Sequence, residues 1–287
     1  MRRHGLLSGG LQRGGLVRVR RSGPPGCGVP IGQATRCGGL PLRLVPGEPA
    51  LLVEDGGGLL AISDLHLGYE RTLEARGVHV PEQTRQLAER VKTIKEKTGA
   101  EKLVILGDVK HDIKGASLYT AFAIAEFFRE MEVFKEVFVV PGNHDGGLAS
   151  LLPPKVRLAG AGGLALETVD GRVGFFHGHA HPAASVAGAR VLVSGHQHLI
   201  LARQGTRQGI WVRLSMGTPP AERTLIVMPA FNPLLYGVPA TRFTANRWRP
   251  VLKSLLEGKH MAEVFLLDGT KLGGLGELSG LLEVEVD

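Results

Sequence analysis

Cysteine is nearly missing from this chain: there are two in 287 residues, Cys27 and Cys37, with no Cys-x-x-Cys pair. That rules out a disulfide framework and a zinc knuckle, and makes a reducing, cytoplasmic setting the expectation. Aromatic residues are also scarce, at 5%, too few for a single-strand binder built on stacking platforms. A long apolar run is lacking too. The longest uncharged stretch, 224–241, is broken by Pro229, Asn232, Pro233 and Pro239, so it makes no spanning helix and no membrane contact is expected. The first 47 residues hold eight arginines but neither lysine nor acid. Taking those eight from the 34 basic residues leaves 26 against 27 acidic ones, so the net charge of +7 becomes −1 from Glu48 onward. The body of the chain therefore offers nucleic acid no general attraction. The N-terminal stretch has no apolar core of a secretory signal. Its Gly/Arg composition fits a disordered extension, a start placed too early or an organelle transit peptide.

What is present suits a folded α/β protein: 43% hydrophobic and 21% charged residues, in a chain long enough to bury a full core. Residues 1–40 read as a disordered Arg/Gly-rich tail, and residues 41–287 as one domain without an internal linker. Leu42–Val45 and Ala50–Val53 read as edge strands, with a hairpin turn at Asp55–Gly58 leading into a strand over Leu59–Ser63. A helix is expected over Pro81–Thr98, with Leu87, Val91 and Ile94 at helical spacing and Gly99 as its stop. A second is expected over Ser117–Met131, capped by Ser117, with Phe122, Ile124, Ala125 and Phe128 on its apolar face. Apolar strands are expected at 102–106, 137–140, 172–176 and 190–193. The text then turns β-rich at 199–203, 210–214, 225–228 and 263–267, with a short helix at 251–256 and a hairpin turn at Asp268-Gly269. Strands alternating with helices, then antiparallel strands, predict a layered α/β sandwich in one domain.

The chemistry sits where the strands stop. Asp64 and His66 follow the first apolar strand, and residues i and i+2 of an extended segment point the same way. Four later strands end alike: Gly107-Asp108, Gly142-Asn143-His144-Asp145, His177-Gly178-His179 and Gly195-His196-Gln197-His198. Ligands of open α/β sheets bind beyond the carboxyl ends of the strands, so these loops converge on one edge. Imidazoles, carboxylates and one amide, without thiolate, suit Mn first, and Fe, Zn, Co or Ni as alternatives. The set exceeds the needs of one ion. A shared carboxylate would hold two ions about 3.5–4 Å apart, the spacing that clamps a phosphoryl group.

In order and in strand context these blocks resemble the calcineurin-like metallophosphoesterase superfamily: Asp-x-His, Gly-Asp-x-x-Asp, Gly-Asn-His-Asp/Glu, His-Gly and Gly-His-x-His. The resemblance implies a four-layer-type α/β sandwich of two mixed β-sheets flanked by helices, with a first ion on Asp64, His66 and His198, a second on Asn143, His177 and His196, and Asp108 bridging. His144 would be the catalytic histidine that stabilises phosphoryl oxygens or protonates the leaving group, while a water activated by the cations attacks phosphorus in line. One departure stands out. The second Asp of Gly-Asp-x-x-Asp falls on His111, so the support that Asp gives the catalytic histidine passes to Asp112 or Asp145. Gly-Asp-Val-Lys-His at 107–111 and Phe231-Asn232-Pro233-Leu234-Leu235 resemble a small prokaryotic branch related to the nuclease subunit of repair exonucleases, or associated with DNA ligase. The implied function is a binuclear-metal phosphodiesterase acting on DNA, RNA or nucleotides. Two alternatives remain: a non-catalytic protein-interaction scaffold, or a nuclease subunit of a repair complex with protein partners.

Other polar residues read more plainly. His4, His79 and His260 read as surface residues, and His179 and His181 as solvent or supporting groups around His177. Asp145 reads as a turn-stabilising side chain. Lys110, Tyr69 and Arg71 read as exposed residues near the site, and Trp211 and Trp248 as packing.

Overall fold

A computed structural model describes residues 36–37, 40–203, 206–217, 222–235, 237–240, 251 and 260–275. The first sheet runs in chain order through β1 (Arg36–Cys37), β2 (Leu40–Leu44), β3 (Leu51–Val53), β4 (Leu59–Ser63), β5 (Lys102–Leu106), β6 (Glu136–Val140) and β7 (Val156–Leu158). β1 to β4 are antiparallel neighbours, and β4 to β7 are parallel. Parallel pairing needs crossovers, which α1 (Tyr69–Glu74), α2 (Thr84–Thr98) and α3 (Leu118–Glu130) help to supply. The edge strand is β1, inside the stretch read as unstructured, and β3 is an interior strand with all three residues buried.

A second sheet begins with β8 (Leu164–Thr168) and β9 (Gly171–Phe176); α4 (Ala184–Ala187) precedes β10 (Val191–Ser194). β11 (Leu199–Arg203) and β12 (Thr206–Gly209) form a hairpin. β13 (Trp211–Met216) and β14 (Arg223–Val227) return to the sheet, β15 (Val238–Pro239) pairs parallel with β11, and β16 (His260–Phe265) and β17 (Lys271–Gly274) complete it. The sheet order is β17-β16-β13-β14-β10-β9-β8, with β14, β10 and β9 parallel at its heart. The Asp268-Gly269 turn joins β16 to β17 as expected, with Leu266 N–H donating to the Thr270 carbonyl (2.9 Å). The helix expected at 251–256 and Trp248 lie outside the described residues, apart from Val251.

Period-two alternation explains why the sheets stack. In β5, Val104 and Leu106 face the second sheet while Leu103 and Ile105 face α2 and α3. From the other side Val191, Val193, Phe175 and Trp211 enter the inter-sheet core. Each such fully buried side chain contributes roughly 1.5–3 kcal/mol. Helix limits differ from the sequence reading. α2 starts three residues after Pro81, and its buried stripe is Thr84, Leu87, Ala88, Val91 and Ile94. In α3 the Ser117 cap holds, accepting from Thr120 N–H at 3.1 Å. Its buried face, however, is Thr120, Ala123, Ile124, Phe127 and Phe128, while Phe122 is 74% exposed. The i, i+3, i+4, i+7 stripe passes through Ala123 and Phe127, and Phe122 and Ala125 fall off it.

Candidate metal centre

The parallel strands of both sheets point their carboxyl ends to one edge. β4 delivers Asp64, β5 Asp108, β6 the 142–145 turn, β9 His177 and β10 the 195–198 turn. Among the described residues, five non-glycine residues have positive φ: Asp64 (59°), His66 (44°), Asp108 (50°), His196 (69°) and His198 (45°). A left-handed backbone costs a side-chain-bearing residue about 1 kcal/mol or more. All five belong to the predicted ligand set, so the strain is concentrated on the site.

Close backbone approach makes the turns possible. A Cβ at Gly142 would collide with the Asp108 carboxylate, and one at Gly195 with the Ser63 hydroxyl and the Asp64 carboxylate. In the space thus left, His196 N–H donates to Asp64 Oδ2 (3.1 Å), His144 N–H donates to Asp108 Oδ1 (2.9 Å), and the Ser63 hydroxyl donates to Asp64 Oδ2. The Phe231-Asn232-Pro233 segment clasps the same loop. Phe231 N–H donates to the Ser63 carbonyl (2.8 Å), and the Asn232 amide donates to the Leu65 carbonyl (2.9 Å).

Six of the seven candidate ligands fall into two clusters that share Asp108: Asp64, His66, Asp108 and His198, then Asp108, His177 and His196. Within each, the potential ligand atoms lie within 4.8 Å of one another. His198 Nε2 is 2.9 Å from Asp64 Oδ1, and Asp108 Oδ2 is 3.4 Å from His66 Nε2 and 3.3 Å from His177 Nε2. The seventh, Asn143, is exposed in the 142–145 turn. The other ring nitrogen of His177, Nδ1, is 2.7 Å from the Leu106 carbonyl. That contact fixes the ring with Nε2 toward Asp108, the arrangement ligating histidines use.

Four buried atoms in these clusters have no hydrogen-bond partner: Asp64 Oδ1, His66 Nε2, His177 Nε2 and His198 Nε2. Buried polar atoms are rarely left so, and each of the four belongs to one of the two clusters whose potential ligand atoms lie within 4.8 Å of one another. The electrostatics agree. Burial opposes ionisation of Asp64, yet His198 and then His177 hold its carboxyl well below the usual range. Burial likewise opposes the charge on Asp108, and His177 and His66 pull its carboxyl down. In His177, burial is outweighed by Asp108 and Asp64, and the imidazole is pushed up to about 9. The pocket is built to stabilise positive charge.

The departure at 111 has a structural answer. His144 Nδ1 lies 2.5 Å from the backbone carbonyl of His111, so neither Asp112 nor Asp145 supports it. Asp112 is occupied by Ser117 N–H (3.1 Å) and the Thr120 hydroxyl (2.7 Å). Asp145 ties its own turn, accepting from Gly142 N–H (2.7 Å) and Lys110 N–H (3.3 Å). The His111 ring meets His66, Nδ1 to Nδ1, at 3.2 Å, and burial, then His66 and His144, pull it down to about 4. His66, His111 and His144 form a third imidazole cluster that sequence reasoning missed. Lys110 is a correction: it is fully buried, and its ammonium donates to the carbonyls of Asp112 and His144. Tyr69 is buried as well. Arg71 is exposed as expected, and Trp211 packs in the core. His79 is exposed and His179 half-buried, its ring 5.3 Å from that of His177.

A two-sheet α/β sandwich with carboxylates and imidazoles gathered at its strand ends defines a metal-dependent phosphoester hydrolase. The sequence profile of calcineurin-like phosphoesterases matches residues 58–200, about half the chain and all of the strand-end blocks. The chain belongs to that family. Among solved structures it is similar to the Pseudomonas putida nuclease MPE, at 18% identity and a TM-score of 0.53, over 82% of this chain and 96% of that one. Matches to the E. coli phosphoesterase YfcE (20% identity, TM-score 0.39, covering 75% and 97%) and to an archaeal phosphodiesterase (15%, 0.35, 72% and 92%) are looser. No protein of curated function matches the chain. No helix among the described residues is long and apolar enough to cross a membrane.

Proposed function

We propose that the chain is a two-metal phosphodiesterase acting on nucleic acid or nucleotides. The first ion would take Asp64, His66 and His198; the second would take Asn143, His177 and His196; Asp108 would bridge them. The observation that carries this is the set of four unpartnered, buried, inward-facing ligand atoms in two clusters joined at one carboxylate. Bound divalent cations would neutralise phosphoryl charge and supply a low-pKa water as nucleophile. The chain's own residues do the rest. Asp64 and Asp108 stay ionised for the reasons given above, so each keeps its lone pairs for a cation. His144, its Nδ1 facing the His111 carbonyl, presents its other nitrogen to the phosphoryl oxygens or the leaving group as hydrogen-bond donor or general acid.

A diester is favoured over a monoester because the similar fold of MPE belongs to a nuclease. Mn²⁺ is the preferred ion for this imidazole and carboxylate set, and the near absence of cysteine supports a cytoplasmic location. The test is a substrate comparison with added Mn²⁺: single-stranded DNA, RNA, cyclic dinucleotides, a simple aryl phosphodiester and phosphomonoesters. The expected result is diester hydrolysis well above that of monoesters; a faster reaction on monoesters would contradict it.

A further inference from the structure

A second concavity opens beside the metal centre. His198 belongs to both, and the far walls are Pro49, residues of β11 and β12, and residues 230–233, 235 and 237. Its volume is about 170 Å³, while a cavity of roughly 150 Å³ takes a benzene ring. One flat ring fits; a stack of rings does not. The walls are largely apolar, with Leu199, Ile200 and Leu235 among them, and the charged side chains that line it are Arg90 and Arg207. Arg90 is fixed in place. Its Nε lies 2.6 Å from Glu48, Nη1 donates to the Phe231 carbonyl (3.2 Å), and the guanidinium sits 4.9 Å from the Phe231 ring centre. Its charge is thus largely answered by Glu48. Arg207 stands exposed on the rim, in β12. Among the described residues no carboxylate lines the cleft.

We propose that this cleft is a nucleobase subsite: it receives the base next to the scissile phosphodiester of a single-stranded polynucleotide, with Arg207 meeting a neighbouring phosphate. The proposal rests on the phosphodiesterase reading above and adds the strand's course across the protein. A planar, mostly apolar ring with an anion on either side matches an apolar slot between a cationic metal centre and an arginine. A base held in a duplex keeps its faces stacked and cannot enter such a slot, whereas an unpaired base can be splayed into it. A sugar phosphate or inorganic phosphate would leave the apolar walls wet. The body from Glu48 onward carries a net charge of −1 and so gives a strand no general attraction, which leaves the grip to local contacts such as a rim arginine.

Binding is measured first, in EDTA, by fluorescence anisotropy with a short labelled oligothymidylate and with a blunt duplex of equal length. Arg207→Glu is expected to weaken oligothymidylate binding roughly tenfold. It should also flatten the dependence of log K on log salt by about 0.7 for the lost phosphate contact. Leu235→Trp, which fills the slot without altering charge, should weaken oligothymidylate binding and leave the salt slope unchanged. Equal binding by both variants and wild type, or equal weakening for single strand and duplex, would overturn the subsite. Hydrolysis of methyl p-nitrophenyl phosphate with Mn²⁺ separates the two readings. If wild type fails on that diester while the binding differences hold, the phosphodiesterase reading falls and the base subsite stands. If Arg207→Glu loses as much on that diester as on the oligonucleotide, the arginine serves the metal centre and the subsite falls.

Discussion

At position 111 an imidazole stands where the family's motif has a carboxylate, and its consequences are local. A ligating histidine gains basicity from an anionic partner on its other nitrogen; here His66 Nδ1 meets the neutral His111 ring at 3.2 Å. An ion on His66 would accordingly be held less firmly than with a carboxylate at 111. Replacing His111 by Ala should weaken Mn²⁺ binding roughly tenfold or more, within the usual range for such outer partners, while His111→Asp should strengthen it. Titration calorimetry reads both, and identical affinities would show that the ring contact carries no energy. His144 should keep its orientation in either variant, because it leans on a backbone carbonyl. That dependence was invisible in the sequence: a carbonyl belongs to every residue, so Asp112 and Asp145 were the only partners the letters offered. Lys110 escaped for a similar reason. An isolated lysine reads as exposed, and its burial depends on the carbonyl of Asp112 two residues on and on that of His144 in another loop.

At the scale of elements, β4, β5 and β10 act as rods that end in strained turns, and these turns share one edge with the ends of β6 and β9. This was legible because apolar runs and strand-end ligands are local patterns. The limits of α2 and the face of α3 were less so. Pro81 tolerates a helix start but does not force one, and Phe122 looks like core until α3 is seated on its sheet. In the second sheet, Glu263 of β16 is held by Arg213 of β13 (2.5 Å) and Lys271 of β17 (2.6 Å). Burial raises its carboxyl, but Lys271 and then Arg213 leave it below the ordinary value of 4.5. A lowered folded value means the contribution is complete above about pH 4.5 and fades as pH falls through that lower value. Solvent screening keeps it to about 1 kcal/mol or less. Glu263→Gln should therefore lower the melting temperature by about 2 °C at pH 7, with the gap closing as the pH falls below about 4.5. A gap that stayed constant across that range would assign the loss to packing.

At the scale of the whole molecule, two seven-stranded sheets, accompanied by a small third sheet of β12, β11 and β15, hold each other by their buried faces while their common edge collects charge. The architecture follows from alternation, as in Val104 against Ile105, and the order of the five blocks along the chain was enough to name the family. Asn143 is the ligand candidate least explained by the fold: it lies exposed in the 142–145 turn. The central claim is that Asp108 joins two ions into one catalytic centre. It is tested most directly by counting Mn²⁺ per chain while assaying an aryl phosphodiester, for wild type and Asp108→Asn. The account predicts two ions and activity in wild type, and in Asp108→Asn fewer ions and activity lower by roughly a hundredfold or more. Full activity in Asp108→Asn at unchanged metal content, or a fully active wild type with one ion per chain, would contradict it.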